Sequence, residues 1–476
     1  MGAIETLPAE IIDLIVAGVD YRTLPKLRLT CRALSSAPNA RLFRSIEIWL
    51  EASSLQRLLN IAMNPRLSKH VKTLTCGIEQ FYDVDFGTFA RYVYHEDPDD
   101  VEDINKLSKK EKRRRYAAYN VYRDHFNKQK ELWHGTLTPI DKQTGSKTRG
   151  TASQCIQTAF SSFTALRSID IIDYGSVWWM QRCDNQCGYT RANRGLLQTQ
   201  PLLQDHMLTM ENVPFTLPRG AYQLQTIFGA LAKTARYIEE FNISLWAGNL
   251  NDESFFSALN GIPEDTTSRV FSELKKVTID LPELPVPLNR LSAEGKPSIC
   301  TILQAATKLQ SLYLALADGD LESRHPPRFR DLCGNRKIGN LQTLYIDSAV
   351  FYTSDFTKFL LRSCLGLREF GLTNASLKQG PWDPIFNVIR QMNCLEKIEL
   401  SDLQVNSTDD TGEYERTILT GEYWMDPQPL YDYLLKKTDV NPVARMIEED
   451  EARDDEMDAL YVQDEVLEVT LRLRQL

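Results

Sequence analysis

Residues 341–346 read L-Q-T-L-Y-I, residues 367–372 read L-R-E-F-G-L, and residues 395–400 read L-E-K-I-E-L. Each is an apolar residue, two others, an apolar residue, one other and an apolar residue. The closing alternation has the two-residue period of a strand with one buried face. The same pattern stands at Val71-Leu74-Cys76, Leu166-Ile169-Ile171, Ile238-Phe241-Ile243, Leu274-Val277-Ile279 and Leu309-Leu312-Leu314. Successive starts lie 95, 72, 36, 35, 32, 26 and 28 residues apart, so the last five intervals have the length of a structural repeat.

A helix-like stretch precedes most of these segments. Leu55, Leu58, Leu59 and Ala62 stand before the first, Ile156, Ala159, Phe160 and Phe163 before the second, and Leu224, Ile227, Phe228 and Leu231 before the third. Further on come Ile302, Leu303 and Ala306, then Phe356, Phe359 and Leu360, and finally Ile385, Val388, Ile389 and Met392, with Asp383 as expected cap and Pro384 in the first turn. Neither member of such a pair buries its apolar face alone, and stacking on a neighbour solves that. The expectation is an α/β fold with a mostly parallel sheet, arranged either as a repeat array or as an ordinary α/β domain.

With 476 residues, 42% of them hydrophobic, the chain is long enough for several domains or one extended array. A net charge of −9 argues against general binding to nucleic acid or anionic membrane. The nine cysteines are scattered and mostly in apolar surroundings, which predicts reduced thiols. No basic start leads into a short apolar run, and no stretch approaches the ~18 consecutive apolar residues of a membrane helix. A location in the cytoplasm, the nucleus or both is expected.

Residues 6–34 are densely apolar. Pro8 suits the start of a helix carrying Ile11, Ile12, Leu14, Ile15 and Val16, which Gly18 is placed to end. Thr23 is expected to cap a second short segment with Leu24, Leu27, Leu29, Cys31 and Leu34 as its apolar residues. Three short helices bury little surface among themselves. The segment is therefore either a terminal cap on the following domain or a module kept for a partner.

The run Leu7-Pro8-x-Glu10-Ile11, then Ile15, Leu24-x-x-Leu27-x-Leu29-x-Cys31-Arg32-x-Leu34 and Leu42-Phe43-Arg44 resembles an F-box, in the form common among fungal F-box proteins. Ser35 and Ser36 stand where many F-boxes carry an aromatic residue. The resemblance implies binding of an SKP-type adaptor through Leu7, Pro8, Glu10, Ile11, Ile15, Leu24, Leu27, Leu29, Cys31 and Leu34. The helix and strand units behind it resemble leucine-rich repeats, whose strands line the concave side of a curved solenoid. The usual asparagine after the strand is replaced by Tyr174, Pro282, Ala317, Ala349, Ala375 and Leu403, so the array is expected to be irregular. Its exposed strand positions would include Ser168, Asp170, Thr278, Tyr313, Thr343, Tyr345, Glu369, Gly371, Lys397 and Glu399. Of these, Asp170, Tyr313, Tyr345, Glu369, Lys397 and Glu399 are the candidate substrate contacts.

This gives an F-box at 1–45, a first helix and strand unit at 46–81, a charged helical insertion at 82–150, the array at 151–404, a C-terminal cap at 405–443 and an acidic tail at 444–476. In the insertion, H-E-D-P-D-D-V-E-D is followed by K-L-S-K-K-E-K-R-R-R and by Tyr119, Tyr122, Phe126 and Trp133 on one helical face. Such aromatics either stack on nucleic acid or pack on the fold, and packing is favoured. Lys112 to Arg115 form a candidate nuclear-import signal. The tail carries eight acids and one arginine within 448–458, then alternates Leu467, Val469, Leu471 and Leu473 with polar residues, as an edge strand does.

Six histidines occur without the spacing of a metal or catalytic motif. The T-G-S-K-T at 144–148 departs from a phosphate loop, and Cys183 with Cys187 supplies at most half a zinc site. Trp178 and Trp179 beside them, with Phe351 and Tyr352, are equally suited to a core and to an interface. The chain is accordingly expected to be a non-catalytic, cofactor-free substrate-recognition subunit of an SCF-type ubiquitin ligase, partnered by the adaptor, a cullin scaffold and a protein substrate. The alternative is an interaction scaffold whose F-box-like segment serves another purpose.

Overall fold

All eight repeated segments are strands, and their pairing follows the repeat. The computed structural model describes residues 7–20, 23–31, 34, 37–50, 52–77, 85–87, 108–133, 152–172, 220–234, 236–244, 264–281, 298–316, 338, 340–409, 412–419 and 428–442. They fall into two compact units, described residues through Leu309 in the first and those from Gln310 onward in the second. That division lies within the span 151–404.

In the first unit the strands are β1 (Ser45–Trp49), β2 (Thr73–Gly77), β3 (Ser168–Ile172), β4 (Glu240–Ser244) and β5 (Lys276–Leu281). They are parallel and pair in chain order. Ile46, Leu74, Ile169, Phe241 and Val277 form one row across them, and Ile48, Cys76, Ile171, Ile243 and Ile279 another. All ten side chains are buried. A slip of one residue would turn every one of them to the other face, so burial fixes the register.

The strand β1 was not among the predicted segments. Phe43-Ile46-Ile48 nevertheless carries the pattern, 28 residues before Val71. A second periodic feature joins the units of the repeat: one carbonyl ahead of each strand accepts two consecutive N–H groups of the next. Arg44 accepts from Lys72 and Thr73, Lys72 from Arg167 and Ser168, Arg167 from Glu239 and Glu240, and Glu239 from Lys275 and Lys276.

Before, between and after these strands run α1 (Ala9–Gly18), α2 (Leu24–Leu27), α3 (Asn39–Leu42), α4 (Ala52–Ala62), α5 (Pro65–Ser68), α6 (Lys109–Trp133), α7 (Ala152–Ser162), α8 (Gly220–Thr234), α9 (Glu264–Phe271) and α10 (Ser298–Ala305). Neighbouring crossover helices touch, α4 with α7, α7 with α8, α8 with α9 and α9 with α10. Leu58, Ile156, Phe160, Leu224 and Ile227 are wholly buried, each worth about 1.5–3 kcal/mol relative to exposure. Arg236 closes the end of α7, donating from Nε to Phe160 O at 2.8 Å and from Nη2 to Ser161 O at 2.9 Å. Burial, then the charge of Arg167, lowers its pKa from the ordinary arginine value.

In the second unit β6 (Ser311–Leu316), β7 (Thr343–Tyr352), β8 (Glu369–Gln379) and β9 (Lys397–Asp409) are parallel and again pair in chain order, while β10 (Gly412–Leu419) runs antiparallel on β9. Leu312, Leu344, Phe370 and Ile398 form one buried row, and Leu314, Ile346, Leu372 and Leu400 the next. The doubled N–H contacts recur at the carbonyls of Gln310, Gln342 and Arg368. Helices α11 (Thr353–Ser363), α12 (Asp383–Gln391) and α13 (Gln428–Leu434) pack in succession. Their core includes Phe351 stacked on Phe356 with centroids 4.5 Å apart, and Trp382 stacked on Phe386 at 5.8 Å. Trp382, not Asp383, holds the cap position of α12, with Asp383 in its first turn.

The long strands β7, β8 and β9 bend at one shared place. Ser348, Asn374 and Asp402, each four residues after the buried Leu344, Phe370 and Ile398, adopt left-handed φ values of 51°, 48° and 51°. All are small polar residues, and Asn and Asp are the types best suited to that region after glycine. The Asp347 carboxylate collects donors at the bend, from Thr373 Oγ1 at 2.8 Å and Asn374 Nδ2 at 2.9 Å. Ahead of the bend, α13 closes the edge of β9 that β10 leaves unpaired. The Tyr431 hydroxyl donates to Leu400 O at 3.0 Å and accepts from Leu400 N–H at 3.1 Å.

Candidate interaction surfaces

The first candidate surface begins with the reason α1 stays folded. Pro8 is its cap residue, and the Pro8 carbonyl accepts from the N–H groups of Ile11 and Ile12. Ile12, Val16, Leu24 and Leu34 form a core, with Leu7, Val19, Leu27, Cys31, Ala37 and Leu42 packed around it. At the other end, Arg41 Nη1 donates to the carbonyls of Val16 at 2.5 Å, Ala17 at 3.2 Å and Val19 at 2.7 Å. A cation thereby satisfies the orphan carbonyls where the helix dipole is negative. Thr23 does not cap α2 through its side chain. Its hydroxyl and N–H instead both donate to the Asp20 carboxylate.

The ten predicted adaptor contacts separate by burial. Pro8, Glu10, Ile11, Ile15 and Leu29 are exposed, and Leu7, Leu27 and Cys31 are half-buried. Leu24 and Leu34 correct the expectation: at 0% and 2% exposure they belong to the module's own core and offer no surface. The outward side of α1 is apolar instead through Ile11, Leu14 and Ile15, exposed by 41%, 68% and 39%. Leu14 was missing from the predicted set, although its three- and four-residue spacing places it on that face. Ser35 and Ser36 lie outside the described residues.

A second candidate surface lies in the C-terminal unit. Pairing aligns Tyr313, Tyr345, Gly371 and Glu399 in one row across β6 to β9, and Ser311, Thr343, Glu369 and Lys397 in the next. The predicted contacts Tyr313, Tyr345, Glu369, Lys397 and Glu399 are thus brought onto one strand face. Tyr345 crosses its neighbour: a Cβ added to Gly371 would stand 2.0 Å from Tyr345 Cδ1 and 2.3 Å from Cε1. Its hydroxyl accepts from Lys397 Nζ at 3.0 Å, and that ammonium lies 3.6 Å from Glu399. The hydrogen bond with Tyr345 raises the pKa of Lys397 above the ordinary lysine value, with Glu399 adding to it.

Asp170 departs from this picture. It sits in the middle row of the first unit, between Thr75 and Asn242, and is 1% exposed. Its carboxylate accepts from Asn242 Nδ2 at 2.7 Å, Thr75 Oγ1 at 3.1 Å and Ser168 Oγ at 3.4 Å. Ser168 and Thr278 are buried as well. All five residues of β3 are buried, so this part of the sheet is covered on both faces and its polar positions are interior. Burial, then Asp170, also pushes the neighbouring Cys76 thiol upward.

On α6, Tyr122 and Phe126 are 1% exposed, and Phe86 stacks on Tyr116 with centroids 3.6 Å apart. Arg115 is 6% exposed, so the folded helix does not present 112–115 as one basic surface. The 144–148 loop, Tyr174, Trp178, Trp179, Cys183, Cys187 and the acidic tail lie outside the described residues. Among the described residues no helix is long and apolar enough to cross a membrane, and no three His, Cys, Asp or Glu side chains are placed to hold a metal. Comparison of the sequence with protein-family models gave no match, and comparison with curated proteins gave none either.

Proposed function

We propose that this protein is the substrate-recognition subunit of an SCF-type cullin-RING ubiquitin ligase. In this reading residues 7–44 are an F-box, and α1 docks an SKP-type adaptor through Ile11, Leu14 and Ile15. The units behind it are an irregular array of leucine-rich type, whose strand face holds a protein substrate. The subunit does no chemistry itself. It raises the local concentration of a substrate lysine near the charged ubiquitin carrier.

The observation that carries the proposal is the division of labour on α1. Ile12 and Val16 build the module's own core, while three large apolar side chains on the same helix face outward. Full burial of each against a partner is worth about 1.5–3 kcal/mol, enough to anchor an interface with few other strong contacts. Chain-order pairing of parallel strands, with the doubled N–H contact repeated between units, supports the array. Tagged full-length chain is expected to co-purify with the adaptor and cullin. Ile11→Asp with Ile15→Asp removes both, whereas undiminished co-purification of that variant counts against the docking role.

A further inference from the structure

We infer that the strand face of the C-terminal unit recognises an arginine-containing, basic segment of its protein substrate, with Tyr345 as the stacking platform. The inference rests on the substrate-receptor reading and adds to it the chemistry of the ligand. Its starting point is Gly371. Because that residue has no side chain, the Tyr345 ring lies over the backbone of β8, with a hypothetical Gly371 Cβ only 2.0 Å from the ring. The Cδ1–Cε1 edge of the ring is thereby set against the sheet, the residue is half-buried, and its hydroxyl accepts from Lys397 Nζ at 3.0 Å.

The platform already keeps company with a cation. Lys397 Nζ stands 5.6 Å from the ring centroid and within hydrogen-bond reach of the hydroxyl, which puts the ammonium toward the hydroxyl tip of the ring and not over the centre of a face. Aromatic faces attract cations, and arginine stacks on them best because its guanidinium is planar and weakly hydrated. The flanking charges point the same way. In the two aligned rows across β6 to β9, Glu369 and Glu399 stand with one cation, Lys397, and Lys397 and Glu399 are 59% and 52% exposed. A guanidinium on Tyr345 therefore has a carboxylate fork beside it on β9. The same balance disfavours phosphate-rich ligands, which would meet the two carboxylates.

The experiment measures binding of a fluorescent peptide of alternating glycine and arginine to the full-length chain, beside the same peptide with citrulline in place of arginine. Citrulline keeps the shape and removes the charge. The arginine peptide is expected to bind at least about ten-fold more tightly. Tyr345→Leu and Glu399→Gln are each expected to weaken it several-fold with an unchanged thermal midpoint. Gly371→Ala, which displaces the ring, is expected to act like Tyr345→Leu, and Lys397→Ala, which removes the competing cation, to tighten binding. Equal binding of the two peptides, unaltered binding by Tyr345→Leu, or no binding of the arginine peptide up to about 1 mM overturns the inference. Adaptor co-purification reads the N-terminal module separately. Failure of the peptide with the adaptor retained sinks only this inference, and loss of the adaptor with arginine binding retained sinks only the ligase reading.

Discussion

At the scale of single residues, polar side chains take up backbone groups that strand pairing leaves over. Tyr431 is the clearest instance, because one hydroxyl satisfies both the N–H and the C=O of Leu400 at the start of β9. Tyr431→Phe keeps the ring and removes only that oxygen. It is expected to lower unfolding free energy by about 1–3 kcal/mol, the cost of leaving buried backbone groups unmade, measured by denaturant titration. An unchanged midpoint would show that water replaces the hydroxyl there. Residues of this kind were not legible in the sequence. Nothing near Tyr431 announces a partner 31 residues away, just as nothing at Gly371 announces the ring that occupies its place. Asp170 was misread for a related reason: strand alternation says which residues share a face, but not whether that face is covered.

Elements were far more legible, since periodicity is set by local geometry. The repeated apolar places lie in register row by row, which is why eight segments could be located from spacing alone. Strand β1 was missed because Phe43 had already been assigned to the exit of the helical module, and α9 because E-D-T-T-S-R-V-F offers only Val270 and Phe271 as buried apolar residues. The bends of β7 to β9 make a prediction at this scale. Asn374 has φ 48° and donates to Asp347, so Asn374→Val, which tolerates that backbone poorly, is expected to cost about 1–2 kcal/mol or more. Asn374→Gly loses the amide but relieves the backbone, and its denaturation midpoint should lie between valine and wild type. A glycine variant as damaged as valine would place the effect in the Asp347 hydrogen bond alone.

Strand entry is also where charges line up. Glu239 meets Arg167 at 3.1 Å and Lys275 at 2.8 Å. The hydrogen bond from Lys275 holds the Glu239 carboxyl below its ordinary value against an opposing effect of burial, and the charges of Lys275 and Arg167 add to the lowering. A depressed folded-state pKa contributes stability that is complete above the unfolded carboxylate value and is lost as pH falls through the folded one. Glu239→Gln is therefore expected to be less stable than wild type near neutrality, with the gap closing in acid and in high salt. A gap independent of pH would mean that the glutamine fails for steric reasons.

At the scale of the whole molecule, the N-terminal helices offer apolar surface, and the parallel strands of the C-terminal unit carry a polar, aromatic face. The short helices of the N-terminal module were readable from Pro8, Gly18 and the apolar spacing between them. Which of its residues face outward was not, since Leu24 and Leu29 look alike in sequence and differ completely in the fold, at 0% and 88% exposure. The central claim is that the outward side of α1 binds an SKP-type adaptor, and titration of purified adaptor into purified full-length chain tests it most directly. The account predicts a stable complex for wild type. It predicts loss of binding with an unchanged thermal midpoint for Ile11→Asp with Ile15→Asp, and a thermal loss of about 2–5 kcal/mol for the core variant Leu24→Ala. A wild-type chain that binds no adaptor, or an Ile11→Asp/Ile15→Asp variant that binds as wild type does, would contradict it.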